Sequence, residues 1–426
     1  MKKILILLIA LGSTPGLSAQ SFDDYFTDRT LRADYIFSGN AEVQFIGLRS
    51  LAQYELWAGR RANLDRTAVE GNGNIIISDP ESGKVLYKHS FSTLFSEWLG
   101  QPEAQTVNRS FEFTALLPYP KAPVDLTVTL LNERREAVAQ MKHRIDPTDI
   151  LIRDLGSRTP TPVKYILKSG SPREKIDVAI LAEGYTDSQM EAFLNDAQRT
   201  VDAIMSYAPF ARHRDEFNFV AVMSASDDTD VSMPGQNRWR STAVCSAFDT
   251  FYSDRYLTTN EVFKINDLLA NIPTEHIIIL ANTEKYGGGG IYNSYTLTNS
   301  RNKYFAPVVV HEFGHSFAGL GDEYFYEHDD IATGQYCAEV EPWEPNITTL
   351  KDFDSKWRDM LPESYVVPTP ATDSARENYT IGVYEGGGYL THGVYRPTVT
   401  CRMRDNVATR FCPVCERAIE RVIELN

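Results

Sequence analysis

Long apolar runs are nearly absent from this chain of 426 residues. Beyond the first dozen positions, no stretch reaches the roughly 18 apolar residues of a membrane-crossing helix. Positive charge is in short supply too: 42 Lys and Arg stand against 57 Asp and Glu, a net charge of −15. That balance disfavours nucleic acid and anionic membrane surfaces as partners. No internal repeat or low-complexity tract occurs. An apolar content of 42% with 11% aromatics excludes a disordered chain. The glycine run Gly287–Gly290 lacks both the Lys-Ser/Thr of a P-loop and the context of a dinucleotide fingerprint. A phosphate cradle is therefore excluded, and the run is expected to be a turn into an edge strand. Cysteine is sparse, with five residues, and four of them (Cys337, Cys401, Cys412 and Cys415) fall near the C-terminus.

The chain opens with basic Met1-Lys2-Lys3, apolar Ile4 to Leu11 and small Ser18-Ala19. This is the pattern of a signal peptide over residues 1–19. The remaining chain is expected to be exported, to the periplasm, the cell surface or the medium, with no transmembrane segment. Removing the two signal lysines takes its charge to −17. No Cys near the cleavage point indicates a lipid anchor. In an exported protein the clustered cysteines read first as two disulfides, with Cys245 left free.

Histidine numbers only eight, yet two stand four residues apart in His311-Glu312-Phe313-Gly314-His315. On a helix, positions i and i+4 share a face, so His311 and His315 can offer two imidazole nitrogens to one zinc ion. Glu312 sits beside them as the general base for a zinc-activated water. A catalytic zinc takes three protein ligands and leaves one position open. Gly319 and Gly321 permit a sharp turn after His315, bringing Asp322 round as the expected third ligand, with Glu323 as its neighbour. His328, His392, Glu339 and Glu341 are the rivals. Tyr395, or else Tyr389 or His392, is the candidate to stabilise the oxyanion.

Residues 20–147 alternate short β-like runs with turns, as in Val124–Leu130, and predict an all-β sandwich. Residues 148–162, which end in Ser157-Arg158-Thr159-Pro160-Thr161-Pro162, read as a linker. Residues 163–426 form the expected catalytic domain. There Ile176–Leu181, Phe217–Val222 and His276–Leu280 read as strands. Helices capped by Asp187 and by Thr258 or Thr259 fall between them. This order implies a mixed, mostly parallel sheet. An edge strand near residues 290–298 is expected to hold a protein or peptide substrate as an added strand.

The zinc motif and its glycine turn resemble those of the metzincin peptidases. Gly319 and Asp322 come one residue later than in the usual metzincin pattern. Thr400-Cys401-Arg402-Met403-Arg404-Asp405 is similar to the metzincin methionine turn, which places Met403 beneath the metal. A wider set of segments resembles the IgA-peptidase family of bacterial zinc metallopeptidases: Ala182–Thr186, His311–Tyr324, Glu341–Asn346, Tyr384–Tyr389, Gly393–Pro397, Cys401–Arg404 and Phe411–Cys415. The resemblance covers roughly residues 150–426. It implies an α/β metzincin-like domain behind the β-sandwich, one zinc per chain, and endopeptidase activity on extracellular proteins such as immunoglobulins. The residues alone also leave open a zinc amidase acting on a cell-wall amide, and a non-catalytic surface-binding protein.

Overall fold

The structure is a computed structural model that describes residues 21–325 and 336–426. The expected signal peptide and His328 lie outside the described residues. After one helical turn, α1 (Phe22–Tyr25), the N-terminal region is built from β1 (Phe26–Gly39), β2 (Gln44–Tyr54), β3 (Gly73–Ser78), β4 (Val85–Phe91), β5 (Arg109–Pro120), β6 (Val124–Leu131) and β7 (Ala137–Ile145), with α2 (Leu94–Leu99) between β4 and β5. They make two four-stranded sheets, ordered β5-β1-β2-β8 and β4-β3-β6-β7, where β8 is the pair Arg153–Asp154. Alternation drives the pairing: in β3, Ile75 and Ile77 are buried while their neighbours are not. The sheets meet through aromatic rings. Phe91 of one sheet stacks on Phe113 of the other at 4.1 Å, and Phe37 lies 4.9 Å from Phe113. Residues 148–162 are not a free linker, because β8 pairs with β2 and Leu155 is buried.

The C-terminal region is a mixed α/β unit. Its strands are β9 (Val163–Lys168), β10 (Ile176–Glu183), β11 (Phe217–Val222), β12 (His276–Ala281), β13 (Gly288–Ile291) and β14 (Tyr295–Asn299), in the order β13-β14-β12-β10-β11-β9. The four central strands run parallel, and β9 and β13 close the edges antiparallel. Every residue of β10, β11 and β12 is buried, as expected for strands covered on both faces. One face, through Ala179, Leu181 and Ile279, joins the aromatic core of the N-terminal sheets. The other, through Val178, Ile180 and Leu280, packs under α3 (Met190–Ile204), α5 (Phe305–Ala318) and α7 (Pro413–Leu425). A short α4 (Val262–Leu268), α6 (Asp373–Asn378) and the hairpin β15 (Tyr384–Gly387) and β16 (Leu390–Arg396) complete the chain. No helix of the described residues is long and apolar enough to cross a membrane.

Two caps differ from expectation. Thr186, not Asp187, starts the segment leading into α3, through a capping box with Gln189. Helix α4 begins after Glu261; the Thr259 hydroxyl donates to the Val244 carbonyl and accepts the Glu261 N–H at 3.1 Å, short of the helix's first turn. The edge strand is displaced as well. β14 is interior, and the glycines themselves form the edge, β13. The reason is steric. A side chain on Gly290 would collide with the Glu312 carbonyl oxygen and come within 2.8 Å of His315 Cβ. Only a glycine strand can lie this close to α5.

Arg32 of β1 fastens the two regions together. Its buried guanidinium bonds Asp34 at 2.8 Å, Asp267 of α4 at 2.6 Å in the ion pair, and the Phe263 carbonyl at 3.1 Å. Arg32→Ala is expected to lower the free energy of unfolding by about 3–5 kcal/mol, since it strands the buried Asp34 carboxylate. Urea titration of both proteins measures this. A loss below about 1 kcal/mol would show that the contact is not a stabilising one.

Candidate active site

Helix α5 carries the motif. Val308, Val309 and Val310 bury it against the sheet, and Gly319 ends it in the left-handed region at φ 61°. The Gly319 N–H then reaches back to the His315 carbonyl at 2.9 Å. Gly321 is not left-handed. It is small because Ile347 Cγ1 would stand 2.8 Å from any added Cβ. The turn swings residues 321–325 back over the helix, and Asp322 arrives beside the histidines. His311 Nε2 and His315 Nε2 lie 3.0 Å apart, and Asp322 Oδ1 lies 3.0 and 3.3 Å from them.

The ring orientations are set by the backbone. His311 Nδ1 faces the Arg402 carbonyl at 3.0 Å, and His315 Nδ1 faces the Leu320 carbonyl. A carbonyl only accepts, so both rings carry their proton on Nδ1 and turn Nε2 lone pairs inward. Asp322 Oδ1 is buried with no hydrogen-bond donor of its own. Three lone pairs thus converge on one point, an arrangement that demands a cation. The N, N, O donor set suits zinc, and the carbonyl partners of the imidazoles are of the kind that orient metal-binding histidines. Without a metal, a proton takes that role. Burial opposes charge on His315, but Asp322 draws the proton strongly enough to lift the imidazole to about 9. Burial likewise opposes ionisation of Asp322, yet His315 and His311 outweigh it and hold its carboxyl far below the usual range.

Glu312 stands with its carboxylate within 4.8 Å of both imidazoles, facing Gly288 of β13. Burial raises its carboxyl above the ordinary range, and the two histidines counter part of that rise. Met403 is fully buried, with its sulfur against Gly314 of α5. Its carbonyl accepts the Glu323 N–H at 2.9 Å, so this turn grips the segment that carries Asp322 directly. Asn346 grips it from the other side, bonding both the N–H and the carbonyl of Gly321 at 2.7 and 2.9 Å.

Several expected residues lie elsewhere. Glu323 points away from the histidines, into a buried group with Cys401, Cys412 and Cys415. His392 is exposed and pairs with Glu385 at 3.4 Å. Glu339 pairs with Arg134, and Glu341 accepts the N–H groups of Lys351 and Asp352. Tyr395 sits on β16, paired through its backbone to Thr348 and Glu385, without a described contact to the triangle. Tyr389 takes the near position: its hydroxyl donates to Asp322 Oδ2. A positive φ of 69° aims it there, a strained geometry for a tyrosine. Tyr324 lies alongside, its ring stacked near His311. The cysteines are free thiols, not disulfides: Cys401 and Cys415 approach only to 3.8 Å, far from a bonded S–S distance of about 2 Å.

Two further groups reach the site from afar with no sequence signal. The Tyr256 backbone bridges Gly288 on the outer side of β13, and its hydroxyl donates to Glu97 of α2. Burial lifts the Glu97 carboxyl to about 7, and the charges of His315, Asp322 and Glu312 reach it.

A His-Glu-x-x-His helix packed on a mixed sheet is the frame of the metallopeptidase class. The family model described as IgA Peptidase M64 matches residues 165–380 and 372–423, and that described as Peptidase M64 N-terminus matches residues 21–142. The chain belongs to the IgA peptidase M64 family. No curated protein matches it.

Tyr389→Phe removes the donor on the outer oxygen of Asp322. Zinc affinity is expected to fall about 10–100-fold, as for other partners of metal ligands. Competition with a chromophoric chelator measures it, and an unchanged affinity would remove Tyr389 from that role.

Proposed function

We propose that the chain is an exported zinc-dependent endopeptidase with a metzincin-like catalytic unit, in which His311, His315 and Asp322 hold the metal. The observation that carries this reading is the triangle of inward lone pairs, two of them fixed by Nδ1–H bonds to backbone carbonyls. Zinc bound there supplies Lewis acidity, polarising a peptide carbonyl and lowering the pKa of a water.

The chain's own groups do the rest. Glu312 accepts the proton of the attacking water and hands it to the departing amine. Its burial-raised carboxyl suits both steps, because a proton carrier works best with a pKa nearer the working pH. Tyr389, through its hydroxyl to Asp322 Oδ2, and Tyr324, through its ring beside His311, are the tyrosines with described contacts to the triangle. An extended peptide would pair with β13 beside Glu312, where it must displace the Tyr256 bridge at Gly288. Immunoglobulin A enters only through the family description. The residues that hold a metal do not choose the peptide.

Glu312→Ala is expected to keep zinc and fold while losing about 10²–10⁴-fold in turnover. Cleavage of a diverse peptide library by residues 20–426, beside this variant and a chelator-treated sample, is the test. Wild-type cleavage by Glu312→Ala would sink the mechanism. Absence of cleavage by the zinc-loaded wild type across the library would sink the endopeptidase reading.

A further inference from the structure

Beneath the triangle lies a second group of metal-ligating side chains that the peptidase reading does not use. Cys401 lies in the methionine turn, Cys412 and Cys415 open α7, and Glu323 follows Asp322. All four are fully buried, and their ligand atoms lie within 4.8 Å of one another. Cys401 Sγ and Cys415 Sγ are 3.8 Å apart, and Glu323 Oε1 is 3.1 Å from Cys415 Sγ and 3.9 Å from Cys412 Sγ.

The sulfur–sulfur spacing matches a tetrahedral site, and the two sulfur–oxygen distances fall on either side of the tetrahedral value. With Zn–S near 2.3 Å and Zn–O near 2.0 Å, tetrahedral angles put sulfurs about 3.8 Å apart and sulfur about 3.5 Å from oxygen. A disulfide would require about 2 Å between two sulfurs. It would also leave the third thiol unpaired and the Glu323 carboxylate buried against sulfur. Three further observations point to a ligand. Glu323 Oε2 is buried with no hydrogen-bond partner. Backbone N–H groups already point at the sulfurs, from Cys412 to Cys401 at 3.2 Å and from Cys415 to Cys412 at 3.5 Å, as they would to thiolates. Arg404 donates to the Glu323 carbonyl at 3.1 Å and, with Arg396, brings positive charge to a site that three thiolates and a carboxylate would leave anionic around one divalent ion.

We propose that Cys401, Cys412, Cys415 and Glu323 form a second, structural zinc site, closed by four protein ligands, so that the chain binds two zinc ions. Four protein ligands leave no position for water, so this site holds structure and carries no chemistry. Its ligands come from the segment after the glycine turn, the methionine turn and the start of α7. One ion there ties all three together, one residue from Asp322 and two from Met403.

The test counts metal, independently of activity. Chain purified under reducing conditions is analysed by elemental mass spectrometry, beside a His311→Ala/His315→Ala variant. Two zinc per wild-type chain and one in the variant are expected. Reconstitution of the variant with cobalt is expected to give thiolate-to-cobalt charge-transfer absorption, and Cys412→Ser/Cys415→Ser added to that variant is expected to abolish it. One zinc in the wild type and none in the variant would overturn the site, even if the endopeptidase reading stood. So would a disulfide among these cysteines in the non-reduced protein, or cobalt binding without the thiolate band. Should the histidine variant fail to fold, the wild-type count and its cobalt spectrum decide alone.

Discussion

Three buried lone pairs aimed at one point are the constraint on which the C-terminal region depends. Two imidazole nitrogens and a carboxylate oxygen about 3 Å apart are tolerable only around a cation or a shared proton. Each is held from outside itself. The Arg402 carbonyl turns His311, the Leu320 carbonyl turns His315, and Tyr389 braces Asp322. The glycine turn, the methionine turn and the β15–β16 hairpin therefore converge because each supplies one partner to this triangle.

The hairpin shows how closely the pieces interlock. The Gly388 N–H donates to the Asp322 carbonyl at 2.7 Å, and the Tyr389 N–H donates to the Tyr324 carbonyl at 3.0 Å. The segment that carries Asp322 is thus pinned between the hairpin and the methionine turn. Trp343 closes over Gly319, leaving no room there for a side chain. The N-terminal sheets take part as well. They share one core with the central sheet and send Glu97 to Tyr256 at the rim of β13.

Much of this was legible beforehand. The spacing of His311 and His315, the glycine after them and the mostly apolar strands at 176, 217 and 276 are local patterns, and each appears where expected. The segment Ala182–Thr186 proved to be scaffolding. Glu183 there accepts from the Ser246 and Val244 N–H groups, each at 2.8 Å, and so organises the loop that precedes α4. The edge strand was misplaced because a glycine run reads as a turn until a helix is known to press against it. The cysteines were misjudged because counting and compartment favour disulfides, whereas sulfur separation is a distance that spacing does not encode.

What the sequence by itself determined is whatever repeats within a turn or a strand: the His-Glu-x-x-His helix, the central parallel strands and the alternation of the N-terminal sheets. What only the tertiary structure decided is which distant groups meet. Asp322 and Glu323 are neighbours with the same chemistry, yet one faces two imidazoles and the other three thiols. Successive side chains of an extended segment point to opposite sides, and only packing establishes what waits on each side.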